Sequence, residues 1–389
     1  MAENSKIEWT THTFNPWMGC TKVHAGCTNC YAEELMDNRY GKVAWGPNGT
    51  RVKTADSNWR KPLQWNRAAW KAGERHRVFC ASLSDVFEDW RGPIVDSKGL
   101  AIYQCDSCVN VDGSPFRHAV PLEDAIQMHG CGESMRLATM DDLRADLFRL
   151  IDTTPHIDWL LLTKRPEAVC WMWPEASGDV LASNIERDQR EGWCANYRPN
   201  VWIGTSVSDQ ATADKAIPEL LTCRYLTPCL FLSVEPLVGP VDLTPYLGGR
   251  SYRCQCGFHA TETELIFSGG DNYRCAECGQ RCEIGATADW TIVGGESGHG
   301  ARPCDVEWVR SIVAQCKASD VPCFVKQLGL QAFDSECEDI GQFDGSCGHS
   351  LGSQDNLHYL RFTDKKGGDI DEFPDALRVR QFPQIVASP

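Results

Sequence analysis

The sequence predicts an α/β protein, a partial or full (β/α) barrel carrying two small inserted metal-binding modules. Three observations predict it. Short β-rich apolar runs alternate with stretches of helical apolar spacing, which favours βα units over a meander or a helical bundle. Runs such as Asp158–Thr163 are apolar almost throughout, as suits strands buried on both faces of a parallel sheet. The 21 cysteines among 389 residues are not spread evenly but gather in three dense segments. Hydrophobic residues make up 42% and aromatic residues 10% of the chain, enough for a large core and incompatible with a disordered or collagen-like chain.

Taken in order, the expected strands are Thr11–Trp17, Arg77–Ser84, Asp158–Thr163, Asn200–Val207, Tyr225–Val234, Asp289–Gly294 and Pro322–Gln327. Helical spacing is clearest over Met140–Asp152 and Val306–Ala318, and a further helix is expected from Tyr31 to a stop at Gly41. The chain then divides into N-terminal barrel units (1–98), an inserted module (99–136), further units (137–247), a second inserted module (248–288), the last units (289–332) and a C-terminal appendage (333–389). No apolar run approaches the ~18 residues of a membrane span. No secretory signal is visible at the N-terminus, so the expected location is the cytoplasm. In a reducing compartment clustered cysteines read as metal ligands rather than disulfides.

In parallel α/β folds ligand sites lie at the carboxyl ends of the strands. Those ends carry Ser82, Ser84, Asp85 and, just beyond, Glu88; Lys164 and Arg165; Ser206; Ser233 and Glu235; Gly294, Gly295 and Glu296; and Lys326 with Gln327. Ordinary strand-end turns use the same residue types. Lys164 and Arg165 are suited to a carboxylate or phosphate.

The first cysteine segment, Cys20-x6-Cys27-x2-Cys30, places three soft ligands on the loop after the first strand. This suits an iron–sulfur cluster with one open iron, or a zinc site completed elsewhere, with His12 and His24 as fourth ligands to consider. Helix N-terminal amides after Cys30 would favour an anionic group there. In the second segment, Cys105-x2-Cys108 precedes His118, His129 and Cys131, which suggests a zinc site of Cys105, Cys108, His129 and Cys131. In the third, Cys254-x-Cys256 and Cys275-x2-Cys278 face each other like the knuckles of a zinc ribbon, with Cys282 as a fifth candidate and an auxiliary iron–sulfur cluster as the competing assignment. Cys80, Cys170, Cys194, Cys223, Cys229, Cys304, Cys316 and Cys323 stand singly and are expected to pack as small apolar side chains.

Several motifs in order resemble a phage-associated branch of the radical S-adenosylmethionine (SAM) superfamily, more distantly similar to spore photoproduct lyase. They are Phe14-Asn-Pro-Trp-Met-Gly-Cys20 through Cys30-Tyr-Ala-Glu33, Leu162-Thr-Lys-Arg-Pro166, Gly204-Thr-Ser-Val207, Leu232-Ser-Val-Glu-Pro-Leu237, Ile292-Val-Gly-Gly-Glu-Ser-Gly298 and Cys323-Phe-Val-Lys-Gln327. The similarity covers residues 7–330 apart from the two modules. The first cysteine gap is six residues, where the superfamily at large has three and this branch has the longer loop.

The resemblance implies a barrel of radical SAM type in which Cys20, Cys27 and Cys30 hold a [4Fe–4S] cluster. The fourth iron binds the amino and carboxylate groups of SAM, and one electron from a donor such as flavodoxin or ferredoxin yields a 5′-deoxyadenosyl radical that abstracts hydrogen from substrate. It places Ser206, Ser233, Glu235, Gly294, Gly295 and Glu296 at SAM or substrate, with Glu235 and Lys164 as catalytic candidates. The implied substrate is a thymidine-type nucleobase in phage DNA, modified or rearranged within the host cytoplasm. Two other readings stay open: a radical enzyme acting on a small molecule or peptide, and a non-catalytic zinc-dependent nucleic-acid-binding protein. Tyr252, Arg253, Phe258, Tyr273, Arg274 and Arg281 give the third segment basic and aromatic residues. A formal charge of −15 opposes non-specific binding to phosphate.

Overall fold

The computed structural model describes residues 5–110, 115–121, 131, 134–178, 180–184, 196–248, 251–253, 259–260, 266–267, 273–274, 283–285, 287–335, 358–364 and 366–385. Seven strands form one sheet in the order β1 (His12–Phe14), β4 (His76–Cys80), β9 (Ile157–Thr163), β10 (Val201–Val207), β11 (Cys229–Val234), β17 (Trp290–Gly294) and β19 (Cys323–Gln327). The pairs β1–β4, β4–β9, β11–β17 and β17–β19 are parallel. A partial parallel barrel has this strand order, and every expected strand is present. By its contacts the chain forms two compact units: residues 1–202 with 225–228, and residues 203–224 with 229–389.

In the first unit the expected strand Thr11–Trp17 is split. β1 stops at Phe14, and β2 (Trp17–Met18) turns away to pair with β3 (Arg51–Lys53). Asn15 makes the break: its side chain bonds Ser82 Oγ and accepts from Leu83 N, locking the two strand ends together. β4 ends at Cys80, earlier than expected, because Ala81 takes a left-handed φ of 65°. The helix after Cys30 starts as α1 (Tyr31–Glu33) and continues as a π-helix, Glu34–Arg39, before Gly41 ends it at φ 57°.

The helices α2 (Asp56–Trp59) and α3 (Lys61–Ala72) follow, and α3 buries Pro62, Trp65 and Ala69. Helix α4 (Met140–Asp152) begins on a capping box between Thr139 and Asp142 and buries Leu143, Leu147, Phe148 and Ile151; a single turn, α5 (Val169–Met172), follows β9. Segment 99–136, expected as a separate module, instead extends an existing sheet. β5 (Ile94–Val95), β6 (Ala101–Val109) and β7 (Pro115–Val120) continue from β2 and β3, and β8 (Met135–Leu137) also pairs with β6.

In the second unit α6 (Gln210–Leu221) and α7 (Val306–Ala318) present Ala213, Ile217 and Leu220, and Val309, Ile312 and Cys316, to the core. Within residues 251–285 the described strands form two small antiparallel sheets, from β12 (Ser251–Arg253), β13 (His259–Ala260) and β16 (Glu283–Gly285), and from β14 (Ile266–Phe267) and β15 (Tyr273–Arg274). After β18 (Cys304–Asp305), described parts of the tail return to the sheets. β20 (Ala332–Asp334) and β21 (His358–Tyr359) pair with each other, and Val379 and Gln381 bond the backbone of β19. The edge strand of the parallel sheet is thereby covered. Among the described residues, no helix is long and apolar enough to cross a membrane.

Candidate metal centre and strand-end sites

Gly19 opens the cysteine loop with φ 105°, and a Cβ there would lie 2.4 Å from the Thr50 carbonyl oxygen; only glycine fits. Cys27 ends a 3₁₀ turn that is capped by His24 Nδ1 accepting from Gly26 N. Lys22 ties the loop to the following turn through Glu33 and the Thr28 carbonyl. His12 lies elsewhere, stacked on Trp65 and bonded to His76 at 3.1 Å, so it is not a ligand of this loop.

The carboxyl end of β9 faces the same loop. Arg165 Nη1 is 3.6 Å from Cys20 Sγ, and its Nη2 donates to the Thr21 carbonyl at 2.7 Å. Asp85 fixes this arrangement. One carboxylate oxygen accepts from Thr163 Oγ1 and Phe87 N, the other from Lys164 N and Arg165 Nη1. Behind it Glu88 joins Arg51 through two short bonds, and Arg51 also reaches Thr21 Oγ1. Burial, then Asp85 and Glu88, push the Cys20 thiol up to about 12, with Arg165 acting against them. Burial also raises Cys30, while the amides of Glu33 and Ala32 and the charge of Lys164 pull it down. A coordinated metal would displace these protons.

Cys20, Cys27 and Cys30 carry no disulfide. Nor do they converge within 4.8 Å of one another, as ligands of a single ion would. Arg165 beside Cys20 and Lys164 near Cys30 give the loop cations suited to an anionic group.

Cys105, Cys108 and Cys131 do converge. Among the described residues they are the one group of three potential ligands lying within 4.8 Å of one another, with Cys105 and Cys131 Sγ 3.8 Å apart. They can hold a metal ion. The core beneath them is small, chiefly Ala101, Tyr103, Cys105 and Met135. His118 is not in the group, and His129 lies outside the described residues, as do Cys254, Cys256, Cys275, Cys278 and Cys282 of the expected ribbon.

In the second unit, Ser206 Oγ donates to the Glu235 carbonyl at 2.8 Å, and the Glu235 carboxylate meets Lys326 Nζ at 2.5 Å. Ser233 is buried in β11. Gly294 and Gly295 pack against β19: a Cβ on Gly295 would lie 2.2 Å from the Leu328 carbonyl oxygen. Glu296 is held by Arg302 through its guanidinium and its backbone amide. Buried Cys80 and Cys304 have raised thiols, the latter at about 12, as packing residues do; Cys170 is exposed, against expectation, and Cys194 lies outside the described residues. Cys316 and burial hold Cys323 well above the ordinary thiol range, which opposes a nucleophilic role.

The profile of a family described as protein of unknown function (DUF5131) matches residues 4–95 and 132–368. The chain belongs to the DUF5131 family. No curated protein and no solved structure matches it. The break in the DUF5131 match takes in Cys105, Cys108 and Cys131, so the thiol triad lies outside the matched residues, whereas residues 248–288 lie within them.

Sequence reasoning missed Arg51, Thr21 and Arg302. No local pattern marks them, because their partners lie 37 residues away for Arg51 and Glu88, 30 for Thr21 and Arg51, and 6 for Arg302 and Glu296.

Proposed function

We propose that this DUF5131 protein is a radical SAM enzyme in which Cys20, Cys27 and Cys30 hold a [4Fe–4S] cluster, acting on a thymidine-type nucleobase in DNA. The observation that carries the proposal is the cysteine loop set against Lys164 and Arg165, with Arg165 3.6 Å from Cys20 Sγ. When bound, the cluster and SAM supply a 5′-deoxyadenosyl radical that takes hydrogen from the substrate. The chain's part is positioning and electrostatics. Asp85 orients Arg165, whose N–H groups hold the Thr21 carbonyl and would steady a cluster-bound Cys20 thiolate. Lys164 offsets negative charge at Cys30. In the second unit, Glu235 is a carboxylate held in place by Lys326, suited to orienting a polar ligand. The ordered motifs from Phe14 to Gln327 support the reaction class.

The test is anaerobic incubation of iron-reconstituted protein with SAM, a strong reductant and thymidine-containing DNA, followed by mass spectrometry. The expected result is 5′-deoxyadenosine with a changed nucleoside, both lost in Cys30→Ala. Iron-free, colourless protein with zinc at Cys20, Cys27 and Cys30 would overturn the proposal.

Cys105, Cys108 and Cys131 we assign to zinc. Three soft thiolates on a segment with little core match a structural site, in which metal binding supplies folding energy. Cobalt substitution gives the intense thiolate charge-transfer and tetrahedral bands of a three-sulfur site, and Cys108→Ser weakens them. Their absence would refute the assignment.

A further inference from the structure

The cations of this acidic protein are concentrated in one stretch. Between Asn38 and Cys80 stand ten Lys or Arg and two acidic residues, Asp56 and Glu74, in a chain whose formal charge is −15. Some are neutralised within the fold: Arg51 by Glu88, Lys53 by Asp56 and Arg75 by Asp158. Arg60, Lys61, Arg67 and Lys71 are not. Among the described residues they make no ion pair, and all but Lys61, which is half-buried, are exposed.

These four lie on or beside α3, a 12-residue helix without a single acidic side chain. Arg60, Arg67 and Lys71 are spaced i, i+7 and i+11, which puts them on one face, with Leu63 and Trp70 along its edge. Two features are unfavourable to the isolated protein. Arg60 and Lys61 sit at the helix N-terminus, where the macrodipole repels positive charge, and the first turn has no acid to offset it. Trp70 is 63% exposed although the opposite face already buries Trp65. Local rules broken together on one surface, with no compensation inside the fold, point outward to a partner.

We propose that the outer face of α3 binds single-stranded nucleic acid, with Arg60, Arg67 and Lys71 on phosphates and Trp70, at the edge of that face, stacked on an unpaired base. Cation charge selects a polyanion. The aromatic ring between Arg67 and Lys71 selects one with exposed π-faces. From Arg60 to Lys71 the helix runs about 16 Å, over which one DNA strand presents roughly five phosphates at B-form spacing. An anionic membrane fits less well, since the apolar face of α3 is spent on the core and only Leu63 and Trp70 remain to insert. The inference deepens the nucleic-acid part of the proposed function, but it stands on charge and exposure alone and needs no metal.

The test is fluorescence anisotropy of the full chain, as purified, with labelled dT20, a 20-base-pair duplex and, in a flotation arm, phosphatidylserine vesicles. Arg67→Glu/Lys71→Glu should weaken dT20 binding tenfold or more. Lys215→Glu/Lys317→Glu, which changes net charge equally on other exposed helical positions, should leave it within twofold. The slope of log affinity against log salt should fall by about 1.4 in Arg67→Gln/Lys71→Gln, a pair that keeps the test open if charge reversal unfolds the helix. Trp70→Ala should cost ~5- to 100-fold on dT20 and far less on duplex. Equal loss in both charge-reversal pairs, no effect of Trp70→Ala on dT20, or binding to vesicles without binding to dT20 would each overturn the proposal. Failure of this test leaves iron content and SAM cleavage untouched, so the two proposals fall separately.

Discussion

Arg165 bridges two groups of opposite demand: its Nη1 stands 2.9 Å from Asp85 Oδ2 and 3.6 Å from Cys20 Sγ. The carboxylate holds the guanidinium in place, and the guanidinium offers its remaining charge to the sulfur. Without Asp85 the guanidinium would keep only the Thr21 carbonyl and the more distant Glu88 to direct it; without Arg165 the Asp85 charge beside Cys20 would lose its partner.

Replacing Arg165 therefore has a defined electrochemical consequence. Arg165→Gln removes a charged donor near a cluster thiolate, so the reduced, more negative state loses stabilisation. The reduction potential of the iron-loaded protein should fall by roughly 60 mV, about 1.4 kcal/mol for one electron, with Arg165→Lys in between. Spectroelectrochemical titration measures it, and an unchanged potential would show that Arg165 does not act on the cluster.

The Arg51–Glu88 pair is buried on both sides, and Trp90 covers the guanidinium at 4.0 Å. Arg51→Met leaves Glu88 short of a partner in low dielectric and should cost about 3–5 kcal/mol. Urea denaturation followed by tryptophan fluorescence reads this loss. A cost below about 1 kcal/mol would mean that water reaches Glu88.

His12 gives the fold a pH dependence. Burial, reinforced by His76, lowers its pKa from 6.5 to about 4. The unfolded chain thus binds a proton near pH 6.5 that the folded chain refuses until about pH 4. Its contribution is fully present above pH 6.5 and is lost as pH falls towards 4. The urea midpoint should drop from pH 7.5 to pH 5, and drop less in His12→Phe, which keeps the stack on Trp65. An identical drop in both proteins would place the titration elsewhere.

Gly295 and Gly294 separate packing from ligand contact. A methyl on Gly295 meets the Leu328 carbonyl oxygen at 2.2 Å, backbone that cannot swing aside, whereas on Gly294 the nearest atom is 3.1 Å away. Gly295→Ala should cost about 1–3 kcal/mol or more and Gly294→Ala less. Thermal unfolding of the two variants tests the order. Equal midpoints, near that of the unsubstituted protein, would return Gly295 to the role of a ligand cradle.

Much of the fold was legible because parallel strands advertise themselves. The run Asp158–Thr163 has an unbroken apolar centre, Trp159–Leu162, and the observed β9 begins one residue earlier. The cysteine loop stood out because its three thiols lie within eleven residues. The exact strand ends were not: Asn15 and Ala81 terminate β1 and β4 through a side-chain bond and a left-handed residue, neither of which disturbs the hydrophobic pattern. Nor was the second layer of the site. Arg165 and Cys20 are 145 residues apart, and nothing in either neighbourhood names the other. Segment 99–136 misled for a related reason: its cysteines suggested an independent module, while Ala101–Cys105, buried throughout, belong to a sheet begun at β2.

A cluster held by Cys20, Cys27 and Cys30 with one iron open to SAM has a direct magnetic signature. Electron paramagnetic resonance of the reconstituted, reduced protein with and without SAM tests it most directly. The signal of a reduced [4Fe–4S] cluster is expected, changing shape when SAM is added and absent from Cys20→Ala/Cys27→Ala/Cys30→Ala. No signal at all, or one that persists in the triple variant, would contradict that assignment.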